Sequence, residues 1–94
     1  MSSFEINQIV IYEPNIINLP PVEKRIHDIG IIRELTNYNA LVFFPHENGY
    51  INVALKNLIK APSNIELPIA TKSEKMAKIE YNMFNVNNYK IFKV

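Results

Sequence analysis

The chain has 94 residues, 48% of them hydrophobic, with a net charge of +1 and no cysteine, which is the size and composition of one globular domain. The absence of cysteine excludes disulfides, thiolate zinc sites and thiol nucleophiles, and a net charge near zero provides no overall field for nucleic acid. No stretch approaches the roughly 20 apolar residues of a membrane span, and residues 1–5 do not form a signal peptide, so we expect a cytoplasmic protein without a membrane segment.

The first predicted strand covers residues 4–12, which carry β-branched and aromatic side chains on both faces. Pro14 ends this strand because proline has no amide hydrogen for the sheet. Residues 13–29 include two consecutive prolines, so we expect an ordered loop there, with a short helical turn between residues 22 and 28. Loops of this length often carry function.

A hairpin is predicted next. Gly30 opens a strand over residues 31–35, and an Asn-rich turn leads into Ala40–Phe44. Those five residues are all apolar, which is typical of a central strand buried on both faces.

The following turn contains Asn48-Gly49, a strong signal for a tight connection. It leads into a strand over residues 50–55, in which Ile51, Val53 and Leu55 are expected to face inward. One helical turn is then predicted before a short closing strand near residues 59–60.

The tail allows two interpretations. Thr71–Glu74 has the form of a capping box, and Met76, Ile79 and Met83 lie on one helical stripe. Against this, residues 79–83 alternate with a period of two, and residues 89–94 are strand-like. We predict a short helix from about residue 72 to 80, followed by a β-hairpin.

The pair of segments Gly30–Leu35 and Ala40–Phe44 resembles the central strands of Src-homology-3-like small barrels, including the KOW and Tudor types. Val53–Leu58 is similar to the single helical turn before their last strand. The resemblance covers residues 4–60 and implies a mainly β, five-stranded barrel. We therefore interpret residues 1–62 as a small β-barrel domain, and residues 63–94 as a linker and C-terminal appendage packed on the same domain.

Aromatic residues at strand ends and turns are the first candidate binding site. On such a barrel they would cluster on one rim and form a groove for a peptide, a methylated side chain or a stacked base; they are Tyr12, Tyr38, Phe44 and Tyr50. The alternative interpretation is that they belong to the core and its edge, with the tyrosine hydroxyls in water.

The tail supplies a second candidate surface. Residues 71–94 carry five lysines and two glutamates, and the lysines alternate with rings, as on nucleic-acid-binding surfaces. The candidate residues are Lys78, Tyr89, Lys90, Phe92 and Lys93. Only two arginines, Arg25 and Arg33, occur in the chain, so a solvated face is the alternative.

No catalytic or metal-binding constellation emerges from the sequence. His27 and His46 are the only histidines, each beside a carboxylate, and they lie in separate loops. A metal site needs three or more converging ligands, and two glycines in 94 residues leave no phosphate-binding loop. We expect no enzyme activity, no metal and no cofactor.

These observations favour a protein-binding module, acting as a small regulator, adaptor or inhibitor. Frequent Ile and Asn, which have AT-rich codons, indicate an AT-rich bacterium or its phage as the source. The alternative is an RNA- or DNA-binding barrel that uses the lysines of the tail. We also expect the tail to dock on the barrel, on a second copy in a homodimer, or on the partner by strand addition.

Overall fold

The computed structural model describes residues 4–14, 18–47, 49–70 and 72–93, with all their side chains except those of residues 23 and 85–93. The strands are β1 (Ile9–Tyr12), β2 (Ile29–Leu35), β3 (Asn39–Phe44), β4 (Gly49–Ala54) and β5 (Leu58–Lys60), and the helix is α1 (Glu74–Lys93). Short 3-10 turns cover Val22–Lys24, Ile26–Asp28, Pro45–Glu47 and Leu55–Asn57. The mainly β fold with five strands is thus confirmed.

All five strands belong to one antiparallel sheet, in the order β4-β3-β2-β1-β5. Strands β1 to β4 are neighbours in chain order, and β5 returns to the outer side of β1, where Ile11 pairs with Ile59. Within the described ranges β4 and β5 do not pair with each other. The expected closure into a barrel is therefore corrected to an open sheet, because the three residues of β5 pair only with β1.

One face of the sheet carries the hydrophobic core. Val10, Ile32 and Val42 are fully buried at the centre of β1, β2 and β3. The other buried members of this cluster are Ala40, Phe44, Val53 and Leu58. On the opposite face Phe43 packs against Tyr50, which α1 covers. All five apolar residues of β3 are consequently buried, which confirms the prediction of a central strand buried on both faces.

The C-terminal segment forms one helix, so the hairpin predicted after residue 80 is wrong. Ser73 caps the helix, since its Oγ accepts a hydrogen bond of 3.2 Å from the amide of Met76. Glu74 and Tyr81 both contact Tyr50 of β4, and Ala77 between them is buried. These contacts recur at helical spacing and stabilise the helix against the sheet. They outweigh the alternating pattern of residues 79–83, which by itself would favour a strand.

Strand β1 is shorter than the predicted residues 4–12. Asn7 adopts a left-handed conformation with a φ of 71°, which breaks the extended backbone before Ile9. The Asn7 amide still donates to the carbonyl of Ile32 (2.7 Å), and the Ile32 amide donates to the carbonyl of Gln8 (3.0 Å). Residues 7 and 8 therefore follow β2 without forming regular sheet.

Candidate functional site

The loop between β1 and β2 is held by Arg25, whose side chain is buried. Its guanidinium donates to a carboxylate oxygen of Asp28 (2.9 Å), to one of Glu13 (3.0 Å) and to the carbonyl of Tyr12 (2.6 Å). Burial by itself would lower the pKa of Arg25, but the bonds to both carboxylates outweigh it and raise that pKa. The part of the loop around Arg25 and Asp28 is thereby fixed over the end of β1.

The same loop brings the two histidines together. The rings of His27 and His46 pack edge to face at 4.4 Å, with 3.3 Å between their Nδ1 atoms. The Nδ1 of His27 also lies 2.6 Å from a carboxylate oxygen of Glu47. Since a carboxylate accepts hydrogen bonds, this Nδ1 carries the hydrogen, and the Nδ1 of His46 can accept as well. Among the described side chains, no three histidine, aspartate or glutamate residues form a group that could hold a metal ion.

An open groove of about 410 Å³ lies on the core side of β4, between this strand and the β1–β2 loop. Its lining combines aromatic, aliphatic, acidic and amide groups: Tyr12, His27, Asp28, Phe44, Glu47, Ile51, Asn52, Val53, Ala54 and Asn57. Ile51 was expected to face the core but is 49% exposed, because the sheet is open beside it. The groove therefore occupies the gap that a closed barrel would fill.

The outer edge of β4 borders this groove. The amide of Leu55 donates to the carbonyl of Tyr38, and in antiparallel pairs such hydrogen-bonded pairs alternate with pairs that lack these bonds. By the observed register, Ile51 and Val53 bond to β3, while the amides and carbonyls of alternate residues point away from it; these are Tyr50, Asn52 and Ala54. Within the described chain these outward groups bond to no other element, so the edge can accept another strand.

Two of the four candidate aromatics meet in the groove. Tyr12 and Phe44 line it, although Phe44 is mostly buried in the core. Tyr50 lies on the opposite face of the sheet under α1, and Tyr38 is exposed at the turn between β2 and β3. The four residues therefore do not form the single rim expected from the sequence.

The candidate residues of the tail fall on α1. The ammonium group of Lys78 lies 2.9 Å from a carboxylate oxygen of Glu34, and 5.0 and 5.6 Å from the ring centres of Tyr50 and Tyr81. The side chains of Tyr89, Lys90, Phe92 and Lys93 lie outside the described residues. Lys78 is thus part of the contact between α1 and the sheet.

This contact centres on a bidentate ion pair. Arg33 of β2 donates from Nε (2.7 Å) and Nη2 (2.8 Å) to the two carboxylate oxygens of Glu74, which also accepts a hydrogen bond from the Tyr50 hydroxyl. The hydrogen bond from Arg33 lowers the pKa of Glu74. Burial, together with the bond to Glu74, raises the pKa of Tyr50. Both arginines of the chain are therefore engaged with carboxylates.

Sequence reasoning did not identify the free edge or the carboxylate end of the groove. Glu47 and Asn52 lie in a turn and a strand whose sequence patterns are ordinary. They border a groove because of the order of the strands in the sheet, which the local sequence does not show. Arg25 and Asp28 are three residues apart, a spacing that favours a local ion pair in a turn. That spacing was the signal in the sequence for the ion pair that fixes this part of the loop.

Comparison with known proteins finds no family model, curated protein or solved structure that matches the chain. No helix in the described ranges is both long and apolar enough to cross a membrane.

Proposed function

We propose that this protein is a non-enzymatic protein-binding module, a small regulator, adaptor or inhibitor, that takes an extended segment of a partner along β4. The observation that carries this proposal is the free backbone edge of β4 directly beside the groove. An added strand forms main-chain hydrogen bonds with such an edge, and neighbouring pockets select its alternate side chains.

The groove favours an apolar side chain at the centre of the bound segment. Tyr12 and Ile51 present partly exposed apolar surface at the opening, and aromatic and aliphatic surface of this kind anchors partners at protein interfaces. Glu47 and Asp28 add carboxylates at one end. A neutral or basic segment therefore fits the groove better than an acidic one.

Nucleic-acid binding through the tail remains the second candidate function. It rests on the lysines, of which Lys78 pairs with Glu34 and Lys72 pairs with Glu80. The groove itself would place a phosphate close to carboxylates, which costs free energy. The charge distribution thus favours a protein ligand over nucleic acid.

We also infer that the fold is an open relative of the Src-homology-3-like barrels. Two features support this inference: the last strand lies beside the first, and the 3-10 turn Leu55–Asn57 comes directly before β5. The resemblance of Val53–Leu58 to the helical turn of those barrels agrees with that position. Function does not follow from it, since many functions use this fold.

Selection from a displayed library of random peptides tests the proposed function, with Asn52→Pro as the deciding variant. The amide of Asn52 points away from β3, so proline removes no bond of the sheet but blocks the middle of the free edge. We expect selected peptides to lose at least about tenfold in affinity for this variant.

Asn52→Ala is the matched control, because it removes the same side chain and keeps the amide hydrogen. It should bind the peptides as the natural sequence does, and both variants should keep the natural thermal stability. Peptides that bind Asn52→Pro equally well would contradict strand addition. A library that yields no binder would contradict the protein-binding function.

A further inference from the structure

The two sides of α1 differ in what they contact. Glu74, Ala77 and Tyr81 face the sheet, and the ion pair between Glu74 and Arg33 fixes the helix rotation. On the other side Met76, Ile79 and Met83 are 50%, 42% and 60% exposed. The helix cannot bury this stripe by turning, because turning would break the buried contacts of its sheet side.

The stripe has the spacing of a coiled-coil seam. Met76, Ile79 and Met83 are separated by three and then four residues, as at the two apolar positions of a heptad. Val86 takes the next such position in the sequence, and Lys90 takes the one after it. The seam therefore covers about three helical turns.

We propose that α1 pairs in parallel with α1 of a second copy of this chain, through Met76, Ile79 and Met83. The charges beside the stripe indicate the second copy as the occupant. Lys75 and Glu80 occupy the two flanking heptad positions that face each other across a parallel pair, five residues apart. Lys75 of each copy would then face Glu80 of the other.

An antiparallel pair is less favourable, because it places equivalent flanking positions together and brings the two Glu80 carboxylates close to each other. The stripe lies on the side of α1 opposite the sheet, so the two sheets lie on the outer sides of the helix pair.

The pairing should be weak and dependent on concentration. A seam of three turns buries less than the roughly 1,200 Å² of a stable specific interface. In addition, the Glu80 carboxylate already accepts a hydrogen bond from Lys72 of its own chain. Lys72 therefore competes with Lys75 of the other copy for this carboxylate. This pairing does not involve the β4 groove, so it can hold or fail independently of peptide binding.

Sedimentation equilibrium of the full chain over a concentration series tests the pairing. We expect the mass to rise towards that of a dimer, and Met83→Glu to weaken dimerisation by at least about tenfold, because it places a charge in the seam. Phe84→Glu is the matched control: Phe84 is 64% exposed but lies off the stripe, so this variant should dimerise normally. A mass that stays monomeric throughout, or equal effects of the two variants, would overturn the proposal.

Single cysteines determine the orientation, since the chain has none of its own. In a parallel pair Met83→Cys places two thiols across the seam, so mild oxidation should give an intermolecular disulfide. Phe84→Cys should crosslink much more slowly. Equal crosslinking of both variants would contradict the parallel seam.

Discussion

Gly30 of β2 lies directly against buried atoms of β3. A Cβ atom on this residue would lie 2.5 Å from Cγ1 of Val42, and 2.9 Å from both the carbonyl oxygen of Phe43 and Cδ1 of Phe44. These atoms belong to a buried central strand and cannot move freely. The opening glycine of the predicted hairpin is therefore required by close packing and not by a turn.

We expect Gly30→Ala to lower the free energy of unfolding by about 1–3 kcal/mol, which is typical of overpacking in a core. Urea denaturation measures this change. Gly49→Ala is the control, because the nearest atom to a Cβ there is the Glu47 carbonyl oxygen at 3.8 Å. Similar losses in the two variants would show that steric contact is not the cause.

The ion pair between Arg33 and Glu74 makes the free energy of unfolding depend on pH. Because Arg33 lowers the pKa of Glu74 in the folded state, the unfolded chain binds a proton at higher pH than the folded chain does. The stabilisation is therefore complete above the ordinary glutamate pKa of about 4.3 and is lost as the pH falls through the lowered folded value.

We expect the difference in unfolding free energy between the natural chain and Glu74→Gln to shrink as the pH falls from 7 to about 3. Chemical denaturation at a series of pH values measures it. Glu80→Gln provides the comparison, since within its own chain Glu80 forms an exposed ion pair with Lys72. If the difference in unfolding free energy between the natural chain and Glu74→Gln stays constant with pH, this ion pair is not the source of the pH dependence.

At the scale of elements, α1 covers the face of the sheet opposite the hydrophobic core. It covers Tyr50, which packs against Phe43, and it closes the ion pair with Arg33. A strand pair could not present Glu74, Ala77 and Tyr81 to the sheet at this spacing. The helix is therefore a structural part of the domain through its first two turns.

Deletion of residues 72–94 should lower the free energy of unfolding by about 2 kcal/mol or more, because it exposes aromatic surface and leaves Arg33 without its carboxylate. Thermal denaturation followed by circular dichroism measures the loss. Tyr50→Phe removes only the hydroxyl bond to Glu74 and should cost less than the deletion. A truncated chain with unchanged stability would mean that α1 contributes nothing to the domain.

At the scale of the whole molecule, charge separates the two candidate functions. The net charge is +1, and the guanidinium groups of Arg25 and Arg33 both pair with carboxylates. Tight phosphate binding requires positive charge and favours arginine side chains, and here the net charge is small and both guanidinium groups are already paired.

We expect the affinity for selected peptides to change little between low and physiological salt, since main-chain bonds and apolar contacts dominate. Binding of a labelled single-stranded oligonucleotide should be weak in both buffers. Fluorescence anisotropy with the two probes measures both affinities. Tight oligonucleotide binding that weakens steeply with salt would instead favour the nucleic-acid function.

Local sequence patterns predicted the elements whose signals are strong over short distances. The apolar run Ala40–Phe44 predicted the buried central strand, and the strand predicted over residues 50–55 corresponds to β4. Asn48 of the predicted Asn48-Gly49 turn lies outside the described residues. The pattern failed in the tail, where residues 79–83 satisfy a helical stripe and a strand alternation equally well. Long-range contacts favour the helix: Glu74 pairs with Arg33, 41 residues away, and Tyr81 packs against Tyr50.

The sequence by itself determined the mainly β character of the fold, because strand propensity and turn chemistry depend on neighbouring residues. The tertiary structure decided where the candidate site lies. The pairing of β5 with β1 leaves β4 free and the sheet open, and the fixed loop brings His27 against His46. Such contacts depend on strand order and long-range ion pairs, which local periodicity does not encode.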